Sequence, residues 1–153
     1  MQSTEKDQLF MGLAIELAHT AYENDEVPVG AVIVQRRNSE VLSAFSNQMR
    51  ATKSSINHAE MLAIQKAMDL IKNERLIDCD MYVSLEPCPM CAYAISKCNI
   101  DTLYFGAEDV KGGGVINGPR ISFSENMFKP DIISGIFEDE STKLLKSFFK
   151  AKR

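Results

Sequence analysis

The chain has 153 residues, 45% hydrophobic and 25% charged, with four cysteines and a formal net charge of −4. Those figures point to one soluble globular domain over residues 1–153, with enough chain to bury a core and no low-complexity or linker segment. No apolar run has membrane-spanning length, and "MQSTEKDQLF" lacks the basic-then-apolar plan of a secretory signal; the expected location is cytoplasmic, with thiols reduced or metal-bound.

Residues 4–23 read as a helix. Gln8, Gly12, Glu16, Thr20 and Glu23 form a narrow polar stripe, and Leu9, Phe10, Leu13, Leu17 and Ala21 fill the rest. His19 falls near that stripe and reads as an exposed histidine. The β-branched "VGAVIVQ" (29–35) predicts a strand, "RRNSE" a turn, and "VLSAFSN" (41–47) an antiparallel return. A second helix is expected over 58–72, with Met61, Ile64, Met68 and Ile71 on one face and Asn57 as its cap. "DMYVSLE" (80–86) is a third strand. Pro87 ends it, and a helix over 89–98 starts with Pro89 in its first turn. "TLYFGA" (102–107) follows that helical crossover, so it runs parallel to the third strand.

"KGGGVINGPR" (111–120), with three consecutive glycines, predicts a mobile loop. "DIISGIF" (131–137) is a last strand or a short apolar turn. The chain closes on a helix with Leu144, Leu145, Phe148 and Phe149 on one face. Its end, "KLLKSFFKAKR", collects Lys143, Lys146, Lys150, Lys152 and Arg153 with no acid among them. That is either a solvated face or a basic footprint for phosphates, set against an acidic chain. Strands alternating with helices define an α/β fold with a sheet covered on both faces.

Chemistry concentrates in "INHAE" (56–60) and "LEPCPMC" (85–91). Three positions at a helix start put Cys88 and Cys91 on one side of the first turn, where unpaired N–H groups favour thiolates. His58 and Glu60 lie at the first turn of another helix, from which both reach past its end. Two helix N-termini thus converge on one ion, and thiolate plus imidazole suits Zn2+. Cys98 would lie about 10 Å farther along its helix. Cys79 is about 20 Å of extended chain away. Three protein ligands, His58, Cys88 and Cys91, leave an open fourth position, the mark of catalytic zinc. Such an ion lowers the pKa of bound water from about 15.7 to about 7. Glu60 is placed to take that proton and return it to the leaving group.

H-x-E followed by P-C-x-x-C is the zinc deaminase signature, matched without a gap by "HAE" and "PCPMC". "EVPVGAVIV" (26–34), "RLIDCDMYVSLEPCPMCA" (75–92), "YFGAED" (104–109) and "SFFKAKR" (147–153) extend the likeness. From about residue 8 to its end the chain resembles the bacterial tRNA-specific adenosine deaminase (TadA) family of the cytidine-deaminase superfamily. The resemblance implies a three-layer α/β/α fold with a five-stranded mixed sheet, one zinc ion per subunit and a homodimer. It also implies hydrolytic deamination of adenosine to inosine at the wobble position of a tRNA anticodon stem-loop. By position it gives Asn47 a contact to the target nucleoside, Asp109 a place near the anticodon-loop backbone, and Phe149 or Phe148 a place bordering the RNA channel. Gln48 and Met49 stand where the family often has a basic residue and proline, and Asn57 where a small or apolar residue is common. A deaminase of free guanine or cytosine would use the same zinc core. A non-catalytic zinc module that binds RNA or a partner is the third reading; three protein ligands and Glu60 argue against it.

Overall fold

Helix α1 (Glu5–Glu23) begins at a capping box: Thr4 Oγ1 accepts from Asp7 N at 3.1 Å and Asp7 Oδ2 accepts from Thr4 N at 3.2 Å. Such a cap stabilises a helix by about 1 kcal/mol. The structure is a computed structural model and describes residues 4–121 and 124–152. The inward face of α1 carries Phe10, Met11, Ala14, Ile15, Ala18 and Ala21. Leu9, expected on the apolar side, is instead 68% exposed. It is turned about 200° around the helix from Asp7, and Asp7 is buried because its Oδ1 accepts from the Tyr82 hydroxyl at 2.8 Å.

The remaining elements are β1 (Gly30–Gln35), β2 (Glu40–Ser46), α2 (Ala59–Ile71), β3 (Cys79–Leu85), α3 (Pro89–Lys97), β4 (Thr102–Ala107), β5 (Asp131–Ser134) and α4 (Glu138–Ala151). They form one five-stranded mixed sheet in the order β2-β1-β3-β4-β5. β1 is antiparallel to both β2 and β3, while β4 is parallel to β3 and to β5. The expected three-layer α/β/α arrangement is therefore present, and the strand-or-turn segment 131–137 supplies a short edge strand.

Alternation along the central strands sorts the core into two halves. Ala31, Ile33, Met81, Val83, Leu103 and Phe105 pack against α2 and α3, whereas Val32, Val34, Tyr82 and Tyr104 pack against α1. Each fully buried Val or Ile contributes about 1.5–3 kcal/mol. The buried face of α2 consists of Ala59, Glu60, Ala63, Ile64 and Ala67 rather than the expected methionine stripe, and Met61, Met68 and Ile71 are only half-buried. Small alanines let α2 approach the sheet closely. The loop 111–120 departs from expectation too: its backbone is held by hydrogen bonds described below.

Because β3 has a parallel neighbour on one side and an antiparallel one on the other, a crevice opens at its carboxyl end, the usual place for a ligand in an α/β sheet.

Candidate metal centre and substrate cavity

α2 and α3 both start at that edge. The residues that open them are His58 and Cys88, each an N-cap with extended backbone (φ −67°, ψ 153° and φ −68°, ψ 171°) and neither capping its own helix. Extended backbone at the cap frees both side chains to project beyond the helix ends. Asn57 does not cap α2; its Nδ2 donates to Thr52 Oγ1 at 2.8 Å. Pro89 occupies the first turn of α3, where no N–H is needed, and Cys91 lies within that turn.

His58 Nδ1 stands 3.6 Å from Cys88 Sγ and 3.5 Å from Cys91 Sγ, and the three ligand atoms lie within 4.8 Å of one another. Among the described residues no other His, Cys, Asp or Glu side chains come together in this way. A tetrahedral zinc, about 2.3 Å from sulfur and about 2.05 Å from nitrogen, sets its N and S ligands about 3.5 Å apart. The observed separations and the soft donor set fit that ion. Cys79 and Cys98 are buried in the core away from the group, and His19 is exposed on α1.

Of the three donors, Cys88 is the one biased toward the deprotonated form that ligates a metal. A hydrogen bond from Cys91, then one from His58, pulls the Cys88 thiol down to about 4. The Cys91 thiol is pushed up, first by its bond to Cys88 and then by burial. The Cys88 partner also raises the His58 imidazole. Glu60 is buried beside them, and desolvation raises its carboxyl to about 6. Such a group can both take and give a proton near neutral pH.

A cavity of about 270 Å³ opens over this cluster. Val27, Val29, Met49 and Leu85 give it apolar walls, and Asn47, Glu60, Glu86 and Asp109 are its polar groups beside His58 and Cys88. Asn47 donates from Nδ2 to Val27 O at 3.3 Å, but its buried Oδ1 has no hydrogen-bond partner. An unsatisfied buried acceptor costs about 1–3 kcal/mol, so it is an open position for a donor on a ligand. Asp109 is half-buried at the rim, with Oδ1 accepting from Gly112 N at 2.9 Å.

Phe149 is not brought to this cavity. It is 49% exposed on α4 and meets Phe148 edge-on at 5.3 Å. Phe148 is the buried member of the pair, packed on Tyr22 at 5.9 Å. Lys143, Lys146, Lys150 and Lys152 are exposed on the outer side of α4, and Arg153 lies outside the described residues.

Two buried carboxylates, Glu86 on the cavity wall and Glu26 outside it, were not singled out by sequence reasoning. Glu86 and Glu26 are each only 2% exposed. Glu86 accepts from Asp109 N, Val115 N, Ile116 N, Asn117 N and Asn117 Nδ2. Burial alone would raise its carboxyl, but the Asn117 amide and these backbone donors hold it below the usual range. Glu26 accepts from Arg50 N at 2.9 Å and Ala51 N at 2.8 Å. For Glu86 the available signal was positional: an acid directly after a strand buried on both faces has little water to pair with and must find donors in the protein.

The family described as the cytidine and deoxycytidylate deaminase zinc-binding region matches residues 4–107. A tRNA-specific adenosine deaminase of Rickettsia bellii is 43% identical over 141 residues, spanning 92% of this chain and 97% of the relative. One from Agrobacterium fabrum is 44% identical over 146 residues, 94% of each chain. A solved structure from work on A-to-I editing by tRNA:A34 deaminases superimposes with a TM-score of 0.85 at 43% identity, covering 90% of this chain and 99% of the other. With that site at the carboxyl end of β3 and near-full-length likeness to these proteins, the chain belongs to the tRNA-specific adenosine deaminase family of the zinc-dependent cytidine-deaminase superfamily.

Proposed function

We propose that this protein hydrolyses adenosine to inosine at the wobble position of a tRNA anticodon. The observation that carries the reading is Glu60: a buried carboxyl raised to about 6, on the cavity wall beside the His58, Cys88 and Cys91 donor set. His58, Cys88 and Cys91 hold zinc, and zinc bound there supplies a Lewis acid that activates water at neutral pH. Glu60 takes one proton of the attacking water and delivers it to N1 of the adenine; it then takes the remaining proton of the new C6 hydroxyl and delivers it to the amine, so that the C6–N bond breaks, C6 becomes a carbonyl and ammonia leaves. Asn47 Oδ1 accepts a hydrogen bond from the target nucleoside, which satisfies the atom left unpaired. Val27, Val29, Met49 and Leu85 exclude water around the base. Asp109 borders the loop backbone at the rim. Phe149, away from the cavity but exposed, is a stacking surface for RNA lying across α4.

A nucleotide must leave its stack to enter such a cavity, and an anticodon loop is already single-stranded, so the cost is small. A homodimer in the cytoplasm belongs to the same reading, resting on the resemblance of the sequence to this family; among the described residues no helix is long and apolar enough to cross a membrane.

The test is inosine formation by zinc-loaded protein on an anticodon stem-loop bearing the wobble adenosine, beside free adenosine, guanine and cytosine. Glu60→Ala is expected to retain zinc and lose about 10²–10⁴-fold in activity. Turnover of a free base with an inert stem-loop would replace the RNA substrate with a nucleobase. A wild type without turnover, together with a Glu60→Ala variant that loses zinc and unfolds, would favour the non-catalytic module.

A further inference from the structure

Asp109 lines the cavity at the start of loop 108–118, and several backbone N–H groups of that loop meet a single side chain. Glu86 is the first residue after β3 and stands two positions before Cys88. Its Oε2 accepts from Val115 N at 3.1 Å, Ile116 N at 2.9 Å and Asn117 N at 3.0 Å. Its Oε1 accepts from Asp109 N at 3.1 Å and Asn117 Nδ2 at 2.7 Å. Backbone N–H groups from both ends of the loop thus converge on one carboxylate, with the charge compensated by dipoles rather than by a cation.

The glycines serve this convergence. A Cβ on Gly113 would lie 2.5 Å from Glu86 Cδ, and one on Gly114 2.5 Å from Pro89 Cα. Gly114 N also donates to Pro87 O at 2.8 Å. The loop is therefore laid directly on the turn that presents Cys88, and Asp109 is held at the cavity wall by its own amide.

We propose that Glu86 is a positioning residue for substrate recognition: it locks the 108–118 rim, and with it Asp109, in fixed register with the metal-holding turn. The role is to keep the rim in its RNA-accepting shape before binding, so that the ordering of a glycine-rich loop does not subtract from affinity. It rests on the RNA-deaminase reading of the site.

The test compares Glu86→Gln, Asn117→Ala and the double variant E86Q/N117D with wild type, measuring zinc per chain, kcat and KM on the anticodon stem-loop. A glutamine amide at position 86 keeps one acceptor but turns two donors toward Asp109 N and Asn117 Nδ2. The expected result is unchanged zinc, kcat within about threefold, and KM raised about tenfold for Glu86→Gln and about threefold for Asn117→Ala. E86Q/N117D should recover part of the KM, because the carboxylate introduced at position 117 can accept from the amide introduced at position 86. Zinc and kcat falling together at constant KM would overturn the proposal, as would a lower Tm with both kinetic constants unchanged. If Glu86→Gln fails to fold, an unchanged KM in Asn117→Ala overturns it. If the wild type leaves the stem-loop untouched, the substrate reading has failed on its own. Amide exchange at Val115, Ile116 and Asn117 in the variants then decides: faster exchange confined to this loop upholds the lock, and unaltered exchange refutes it.

Discussion

The two ends of the parallel strands β3 and β4 both gather acid, yet they handle it differently. At the carboxyl end, Glu86 is surrounded by backbone N–H groups, and Glu60 sits by two helix starts and a nitrogen–sulfur donor set. At the amino end, Asp80 and Asp101 share the Arg36 side chain, with Arg36 Nε 3.3 Å from Asp80 Oδ2 and Nη1 3.8 Å from Asp101 Oδ2. Arg36 is half exposed, and Asp80 Oδ1 is buried without a partner. Helix dipoles and loop amides are preorganised and need no mobile counter-charge; a single solvated arginine compensates a buried carboxylate poorly. One end is thus built for chemistry, and the other bears a desolvation penalty that chemistry does not use.

If that division is real, changes at the carboxyl end should cost activity and changes at the amino end should alter stability. The largest effect is expected from Cys88→Ala, which removes a ligand. Zinc affinity should fall by more than the about 10–100-fold lost with an outer hydrogen-bond partner, and turnover should vanish, as read by metal content after dialysis and by inosine yield. A variant that kept zinc and activity would mean that the donor set is not the metal centre. Next comes Asn47→Ala. Oδ1 makes no internal bond, so the folding stability at stake is that of the long Nδ2 bond to Val27 O, about 1 kcal/mol, and kcat/KM should fall by about 10–100-fold through the lost substrate bond. A large drop in Tm with kcat/KM preserved would turn Asn47 into a strand-end residue only.

At the amino end the prediction is a pH dependence. Burial, which outweighs Arg36, raises the Asp80 carboxyl to about 6, against about 3.9 in an unfolded chain. Between those values the folded protein binds this proton more tightly, so the contribution of Asp80 to stability is greatest below about pH 4 and is lost as pH rises through about 6. Urea midpoints of wild type and Asp80→Asn should differ by an amount that changes across that range, the variant declining less because only Glu60 still contributes, while inosine formation is untouched. A difference that stayed level would show that Arg36 fully compensates the charge.

The carboxyl-end site was more legible in the sequence than its surroundings, for a physical reason. His58, Glu60, Cys88 and Cys91 carry uncommon chemistry at short spacings, and a helix start imposes their geometry locally. The antiparallel return of β2 on β1 and the parallel run of β4 beside β3 followed from the short turn and the helical crossover; the order of all five strands did not. What escaped were the groups whose partners are remote in sequence. Glu86 and Glu26 look like ordinary acids until loops about 25 residues away fold onto them. The glycines at 112–114 signal mobility in one dimension and close approach in three. Leu9 and the alanine face of α2 show the same limit: periodicity locates a helix, but which residues face inward depends on what the sheet offers.

The smallest effect tests whether the acidic chain meets RNA through α4. Lys146 and Lys150 are exposed, whereas Lys152 is already engaged: it pairs with Asp25, which also holds Arg50 at 2.5 Å, and its ammonium lies 5.3 Å from the centre of the Phe148 ring. The Lys152 bond, followed by the nearby Arg50 charge, lowers the Asp25 carboxyl. A cation that must leave such a partner to reach a phosphate yields little net binding, so the lysines should not be equivalent. Each free lysine that contacts a phosphate on a single strand adds about 0.7 to the slope of log K against log salt. Lys150→Gln should therefore flatten the slope for stem-loop binding by about that amount, and Lys152→Gln by clearly less. Equal losses would mean that the Asp25 pairing opens when RNA binds. An unchanged slope in both would make the lysine face of α4 a solvated surface and leave the rim around Asp109 to carry the recognition.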